Sequence, residues 1–274
     1  MGAEVIDMRN EALTGYLLHQ RPYQEKRALY CLFSQQHGVI HGVGKKGAPL
    51  FMPLQLFASG KRDLKTFSQI NIAVHSNSNR HEKVSLDAHP DDTAVDTAHT
   101  LAAMPYETIT GQQQYSALYL NEILWRLLPT EDPMPVLWQH YQNSLYQLKQ
   151  PLTQQQLRLC LRQFEKHLFD ELGFTLTLSH DSMQDAIVPE GLYRFLPDAG
   201  FLAISRDTLE SERLKSASGY AVFLGADIIT MAHSGITTTT LNDWSKLNRH
   251  LIDHLLEYQP LQSRLLWQQQ RRYQ

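Results

Sequence analysis

The chain is poor in cysteine, in long apolar runs and in catalytic motifs. Only Cys31 and Cys160 occur in 274 residues, which excludes a disulfide framework and a four-cysteine zinc site. Each lies on an apolar-periodic segment and reads as a buried free thiol. No apolar run approaches the length of a membrane span. The opening MGAEVIDMRNEAL has neither the basic nor the apolar region of a signal peptide. Its Met1-Gly2 start departs from a myristoylation site at Ile6. These features fit the cytoplasm. There is no G-x-S-x-G, no cysteine in a reactive setting and no paired-carboxylate motif. No catalytic residue is therefore assigned, and an enzyme is not expected. His250 and His254 have the i,i+4 spacing of a zinc helix. The intervening Leu251-Ile252-Asp253 lacks the catalytic Glu, and nothing supplies a third ligand. The pair reads as a solvated helical face, so no metal and no cofactor is expected.

What the chain does have is charge segregation. Residues 15–72 hold eight Lys/Arg (Arg21, Lys26, Arg27, Lys45, Lys46, Lys61, Arg62, Lys65) and two acids (Glu25, Asp63), a net charge of +6. The whole chain is −3, so the remainder sums to −9. A basic segment inside an acidic chain points to contact with a polyanion through that segment. The same stretch predicts five short strands, at residues 16–20, 28–33, 39–43, 54–57 and 64–67, separated by turns containing Gly or Pro. Five short strands with basic turns fit an OB-fold barrel, an architecture that binds nucleic-acid strands. Gly42-Val43-Gly44-Lys45-Lys46-Gly47 lacks the spacing of a nucleotide phosphate loop, and Pro49 and Pro53 forbid the helix that must follow. It reads either as a loop whose lysines hold nucleic-acid phosphates or as a solvated turn. Most of the nearby aromatics (Tyr16, Tyr30, Phe33, Phe57, Phe67) read as core, since alternate strand residues must fill so small a barrel. Tyr23, in the turn beside Pro22, is the one placed to stack a base.

Residues 75–108 carry two basic residues and six acids with few large apolar side chains. They read as an acidic linker or insertion. Three amphipathic helices follow. The first runs through Tyr115, Leu118, Tyr119, Ile123 and Leu127 until Pro129. The second starts near Pro133 to Pro135. The third opens at Thr153 and ends before Gly173. They predict a helical bundle. On the third helix Arg158 and Arg162 share one face, beside Leu157, Leu161 and Phe164. A basic rim around an apolar patch suits a short acidic peptide with a bulky apolar end. The alternative is an ordinary helix edge with Glu165 pairing one of the arginines. Beyond it, residues 192–195 and 200–205 flank Pro197-Asp198-Ala199-Gly200 and predict a hairpin. Residues 225–239 read as a polar loop. Thr240-Leu241-Asn242-Asp243 resembles a capping box that opens a last helix. The expected fold class is α+β: an N-terminal OB-fold barrel, a helical bundle and a small C-terminal hairpin and helix region. The expected domains are 1–74, the linker 75–108, the bundle 109–178 and the C-terminal region 179–274.

The run LHQRPYQEKRALYCLFSQQHGVIHGVGKKGA resembles the barrel signature of the bacterial RecO family of DNA-repair proteins. Leu54-Gln55-Leu56-Phe57 and Gly60-Lys61-Arg62-Asp63-Leu64-Lys65-Thr66 resemble the next two segments of that family. Similarity resumes at Tyr119-Leu120-Asn121-Glu122-Ile123-Leu124-Trp125-Arg126-Leu127-Leu128. It continues at Leu161-Arg162-Gln163-Phe164-Glu165 and Glu171-Leu172-Gly173-Phe174, with weaker echoes at Tyr193-Arg194-Phe195 and Pro260-Leu261-Gln262-Ser263-Arg264. The pieces span about two thirds of the chain. The resemblance implies a recombination mediator that binds single- and double-stranded DNA, anneals complementary strands and helps load RecA with RecR. It also implies a nucleoid-associated location and docking of the acidic tail of single-stranded-DNA-binding protein on the helical region, at Arg162. Arg158 joins that site by helix geometry, and Leu161 and Phe164 are its apolar candidates. The rival reading is a protein-interaction scaffold on an OB fold that has lost DNA binding. Three departures stand out. Thr177-Leu178-Ser179-His180-Asp181 replaces the four-cysteine zinc cluster of many relatives. No cation follows Lys45 and Lys46 in the third-strand loop. The 75–108 segment looks inserted.

Overall fold

A computed structural model describes residues 7–73, 108–205 and 221–272. The acidic 75–108 segment, apart from Thr108, lies outside them. Five strands open the chain: β1 (Met8–Pro22), β2 (Arg27–Ser34), β3 (Gly38–Lys45), β4 (Pro53–Gly60) and β5 (Leu64–Ile72). They hydrogen-bond in the closed order β1-β2-β3-β5-β4, with β4 returning to β1. Three residue pairs of parallel β3–β5, His41 with Leu64 to Val43 with Thr66, complete the ring. Leu13, Leu17, Tyr30, Leu32, Ile40, Leu54, Leu56 and Phe67 fill its interior. The space is tight. A Cβ on Gly42 would sit 2.5 Å from the Phe67 ring, and one on Gly44 would meet Ile70 and Tyr30. These glycines make room for the aromatic fillers.

Alternate residues on the barrel's outside form a second apolar layer. Tyr16, Leu18, Phe33 and Val39 pack against the helices α1 (Gly111–Leu127), α2 (Pro135–Lys149) and α3 (Gln154–Glu171). Tyr16 and Phe33 meet Trp138 and Tyr141 of α2 at ring-centroid distances of 5.2–5.9 Å. Polar ties fix this docking. The register of β1 slips between Leu17 and His19, and Asn121 of α1 donates to the carbonyls of Leu17 and Leu18 there, at 3.2 and 3.1 Å. Tyr141 Oη donates to Asn121 Oδ1 at 2.6 Å, so the buried amide is anchored from both sides. Gly38, at φ +65°, brings the β2–β3 turn against the carbonyl of Asp132, where a Cβ would lie at 1.8 Å. Only glycine fits that approach.

The fold class expected from sequence stands corrected in its C-terminal third. The hairpin β6 (Leu192–Leu196) and β7 (Gly200–Ile204) gains a third strand, β8 (Val222–Leu224), antiparallel to β6. Residues 225–234 form a helix, α4 (Gly225–Ser234), where a polar loop was expected. Its buried stripe is little more than Ile228 and Met231, too short to register as periodicity. Helix α5 (Leu241–Leu255) has the apolar face read from sequence, but Thr240 does not cap it. Thr240 Oγ1 donates to the Gly235 carbonyl at 2.6 Å instead. A further helix, α6 (Gln262–Arg272), was not anticipated. The region is not a small appendage. Helix α5 packs on α3 and α6 on α1, and Tyr193, Phe195, Phe201, Phe223, Trp244, Leu247 and Leu251 join the bundle in one continuous core. Helix α3 begins as expected: Thr153 accepts from Gln156 N at 3.3 Å while Gln156 Oε1 accepts from Thr153 N at 2.9 Å.

Lys65 is fully buried, and its ammonium lies 2.7 Å from Glu131 in the loop between α1 and α2. It ties β5 to the helical body. Lys65→Ala leaves the carboxylate without its cation in a nearly dry site. Urea unfolding is expected to show a loss of about 3–5 kcal/mol. A loss below about 1 kcal/mol would mean that the pair is not structural.

Candidate functional site

Two basic surfaces emerge from this architecture. The first is one end of the barrel. Pairing sets Arg27 opposite Lys45 and Arg21 opposite Leu29. The Lys46 amide donates to the Lys26 carbonyl at 3.1 Å. Arg21, Lys26, Arg27, Lys45 and Lys46 are thus gathered around the β1–β2 turn and the end of β3, and all five are exposed. Two bonds brace the place from beneath. Tyr30 Oη donates to the Lys45 carbonyl at 2.6 Å, and Lys46 Nζ to the Glu25 carbonyl at 2.9 Å. Lys61 and Arg62 lie in the separate β4–β5 turn, where Lys61 Nζ is 3.6 Å from Asp7. Lys65 does not join the exposed set, because it is consumed by Glu131. Tyr23 is 54 % exposed at the tip of the β1–β2 turn, as a stacking residue requires.

The second surface is a cleft of about 1160 Å³ walled by α1, α3, α5 and α6. Arg158, Arg162, Lys246, Arg249, Arg264 and Arg271 line it, against one acid, Asp253. Leu157, Leu161, Tyr115 and Trp267 supply apolar wall. Three of the four residues singled out on α3 therefore meet in one cavity. The fourth, Phe164, does not: it is 1 % exposed and belongs to the core beside Tyr141. The four cations contributed by α5 and α6 escaped the sequence reading. Helix α6 buries only Ser263 along its length and so shows little apolar period. What holds its first turn is distant in sequence. Glu122 accepts from the amides of Gln262 and Ser263, each at 2.8 Å, and from Ser263 Oγ at 2.6 Å. A carboxylate at a helix N-terminus satisfies donors that the helix leaves free.

The floor of the cleft is a buried polar network. Glu165 is fully buried. It accepts from Tyr119 Oη and from Arg162 at 2.5 Å each, and from Asn248 Nδ2 at 2.9 Å. The pairing of an arginine with Glu165, one of the two sequence alternatives, is thus present. It does not exhaust Arg162, whose Nε is buried without a hydrogen-bond partner among the described residues. Burial and the adjacent Glu165 raise the Tyr119 hydroxyl well above the ordinary tyrosine range, which keeps it a donor. Arg158 is held at the rim by Asn242 and Ser245, at 2.8 and 3.2 Å. Arg264 bonds Asp253 and lies over the Tyr119 ring. Desolvation lowers Lys246, whose ammonium donates to the Val222 carbonyl.

Other candidates resolve simply. Among the described residues no group of three or more His, Cys, Asp or Glu is placed to hold a metal. His250 lies edge-on to Phe195, while His254 bonds Asp198 at 3.2 Å. Both thiols are free and buried, and burial pushes Cys31 up to about 12 and Cys160 to about 11. Among the described residues no helix is long and apolar enough to cross a membrane.

Comparison with known proteins places this geometry in a context. The family described as "Recombination protein O C terminal" matches residues 110–265. A DNA repair protein RecO of Coxiella burnetii (strain RSA 331 / Henzerling II) is 30 % identical over 263 residues, covering 92 % of this chain and 95 % of its own. One from Stutzerimonas stutzeri (strain A1501) is 32 % identical over 228 residues, covering 80 % and 77 %. One from Pseudomonas entomophila (strain L48) is 34 % identical over 191 residues, covering 68 % and 70 %.

Removing the Glu165 carboxylate strands the buried Tyr119 hydroxyl and the Asn248 amide as well as Arg162. Glu165→Ala is therefore expected to lower unfolding free energy by about 3–5 kcal/mol. A near-neutral result in a denaturant titration would show that water replaces the carboxylate.

Proposed function

From the premise that the chain belongs to the recombination protein O family, we infer that it is a non-enzymatic DNA-repair and recombination mediator with two separate working surfaces. The exposed end of the barrel holds DNA strands by their phosphates. The helical cleft receives the acidic tail of single-stranded-DNA-binding protein. The observation that carries this reading is the cleft: six cations around an apolar wall in a chain whose net charge is −3. Such a cavity suits a peptide of carboxylates ending in a bulky apolar residue.

The chemistry asked of the chain is modest. Annealing two complementary strands requires that their like charges be neutralised and that the protein keeping them apart be loosened. Arg21, Lys26, Arg27, Lys45 and Lys46 supply neutralisation without base readout. Lys61 and Arg62 extend it from a second turn. Capture of the tail supplies the loosening, and brings the mediator to DNA already coated with that protein. Binding of both single- and double-stranded DNA, and help in loading RecA together with RecR, complete the proposed role. The rival scaffold reading differs in one respect: it has no salt-dependent DNA binding.

Two measurements test the proposal. Affinity for single-stranded DNA is expected to fall steeply with salt. Lys45→Ala with Lys46→Ala should flatten the log–log slope by roughly one to two units, since each phosphate contact contributes about 0.7. An unchanged slope would remove this end of the barrel from the interface. For the cleft, Arg162→Ala is expected to weaken an acidic tail peptide by about 1.5–3 kcal/mol, but it also unbalances Glu165. Arg271→Glu, on an exposed position, separates the two effects, whereas Arg249→Glu would also set a second carboxylate beside Asp253, which lies 3.7 Å from the Arg249 guanidinium. Arg271→Glu should weaken the peptide at unchanged melting temperature while DNA binding persists. Full peptide affinity in Arg271→Glu would refute the cleft as the tail site.

A further inference from the structure

The bulge in β1 does more than receive Asn121. It turns two successive residues, Leu18 and His19, to the outside: Leu18 goes under the helices, and His19 lands opposite Cys31, whose other neighbour is His41. Strict alternation then sets the next outward rows. Beyond His19, Cys31 and His41 come Arg21, Leu29 and Val43, and beyond those Arg27 and Lys45. The outer face of β1–β2–β3 thus runs from the helical body to the basic end of the barrel with cations on its far half; Cys31 and Val43 are buried within it, so its open path is His19, Arg21, Arg27 and Lys45. At its near edge stands Trp125, in the last turn of α1. Its indole lies 5.1 Å from the His19 ring at 21° between planes, a stacked pair, and the residue is 36 % exposed.

We propose that Trp125, held in place by His19, is a base-stacking position for a single nucleic-acid strand that runs along the outer face of β1–β3 from the basic end of the barrel to the helical body. This rests on the reading of the barrel end as the phosphate-binding surface. The occupant follows from the combination of groups. Arg21 lies two residues from His19 on the same face of β1, about 7 Å along the strand. An aromatic plane at that distance from a cation meets the two halves of a nucleotide, base and phosphate. Bases in a duplex have no free face, so the step discriminates for unpaired strands, which the cations alone cannot do. The neighbouring Arg126 adds little to that discrimination, because its guanidinium is directed at Glu122 (3.7 Å) and the Pro260 carbonyl (3.2 Å). The imidazole stacked on the indole helps to hold it in place, which reduces the freedom lost when a base arrives.

The test compares Trp125→Ala and Trp125→Phe with the full chain, on an oligothymidylate and on a duplex of equal length, across a salt series. Trp125→Ala is expected to weaken the oligothymidylate by about five- to a hundredfold, the loss of one base stack. The salt slope and the duplex affinity should stay unchanged, and Trp125→Phe should recover most of the loss. Equal weakening on both DNAs, together with a fallen melting temperature, would make Trp125 structural and overturn the proposal. Unchanged oligothymidylate affinity in Trp125→Ala, with a steep salt slope intact, would overturn the stacking step alone. A full-length chain that binds neither DNA would overturn the phosphate-binding reading, and the stacking step with it.

Discussion

One buried carboxylate organises the helical half of the molecule. Glu165 joins α1 through Tyr119, its own helix through Arg162, and α5 through Asn248. A charge with no exposure is tolerable only when every lone pair is occupied. The three helices are therefore held at one spacing, and the cleft above them has a fixed shape. The same carboxylate offsets one of the six cations that line the cavity, and Asp253 is shared by Arg264 and Arg249, so two carboxylates face six cations. Most of the positive charge remains available to a ligand. An apolar floor would have packed as well, but it would not have fixed Arg162 by a charged bond.

The barrel is joined to this body by a different device. Its outward apolar row is covered by aromatic side chains of α2, which provides area but little registration. Registration comes from two polar ties, Asn121 at the β1 bulge and Lys65 with Glu131, and from the close steric approach at Gly38. Charge is partitioned accordingly. Of the eight cations in the barrel segment, one is spent on this joint, while five gather at the end away from it. The two basic surfaces share no side chain, because the barrel contributes nothing to the lining of the cleft.

How much of this was legible in the sequence depended on period. The five short strands anticipated each lie inside an observed strand, because alternation and turn residues mark them locally. Their ends ran further than the pattern did: β1 begins at Met8, where Asn10 at φ +54° and a register slip obscure the alternation. Helix α3 was readable at both ends, from Thr153 and Gly173. Helix α6 was not, since its anchor is Glu122, some 140 residues earlier. The same rule explains the sites. Arg158 and Arg162 announced themselves by spacing on one helix. Their partners Lys246, Arg249, Arg264 and Arg271 could be found only once α5 and α6 were folded beside α3. Lys65 and Phe164 were assigned to surfaces by composition, and both proved buried because strand and helix facing, not residue type, decides exposure.

The central claim is that two basic surfaces act independently on one chain. It is tested most directly by titrating single-stranded DNA into the protein with and without a saturating acidic tail peptide, at several salt concentrations. The account predicts a steep salt dependence for DNA in both series, with the peptide bound at the same time and leaving DNA affinity unchanged. Competitive displacement of DNA by the peptide, or DNA binding that does not respond to salt, would contradict it.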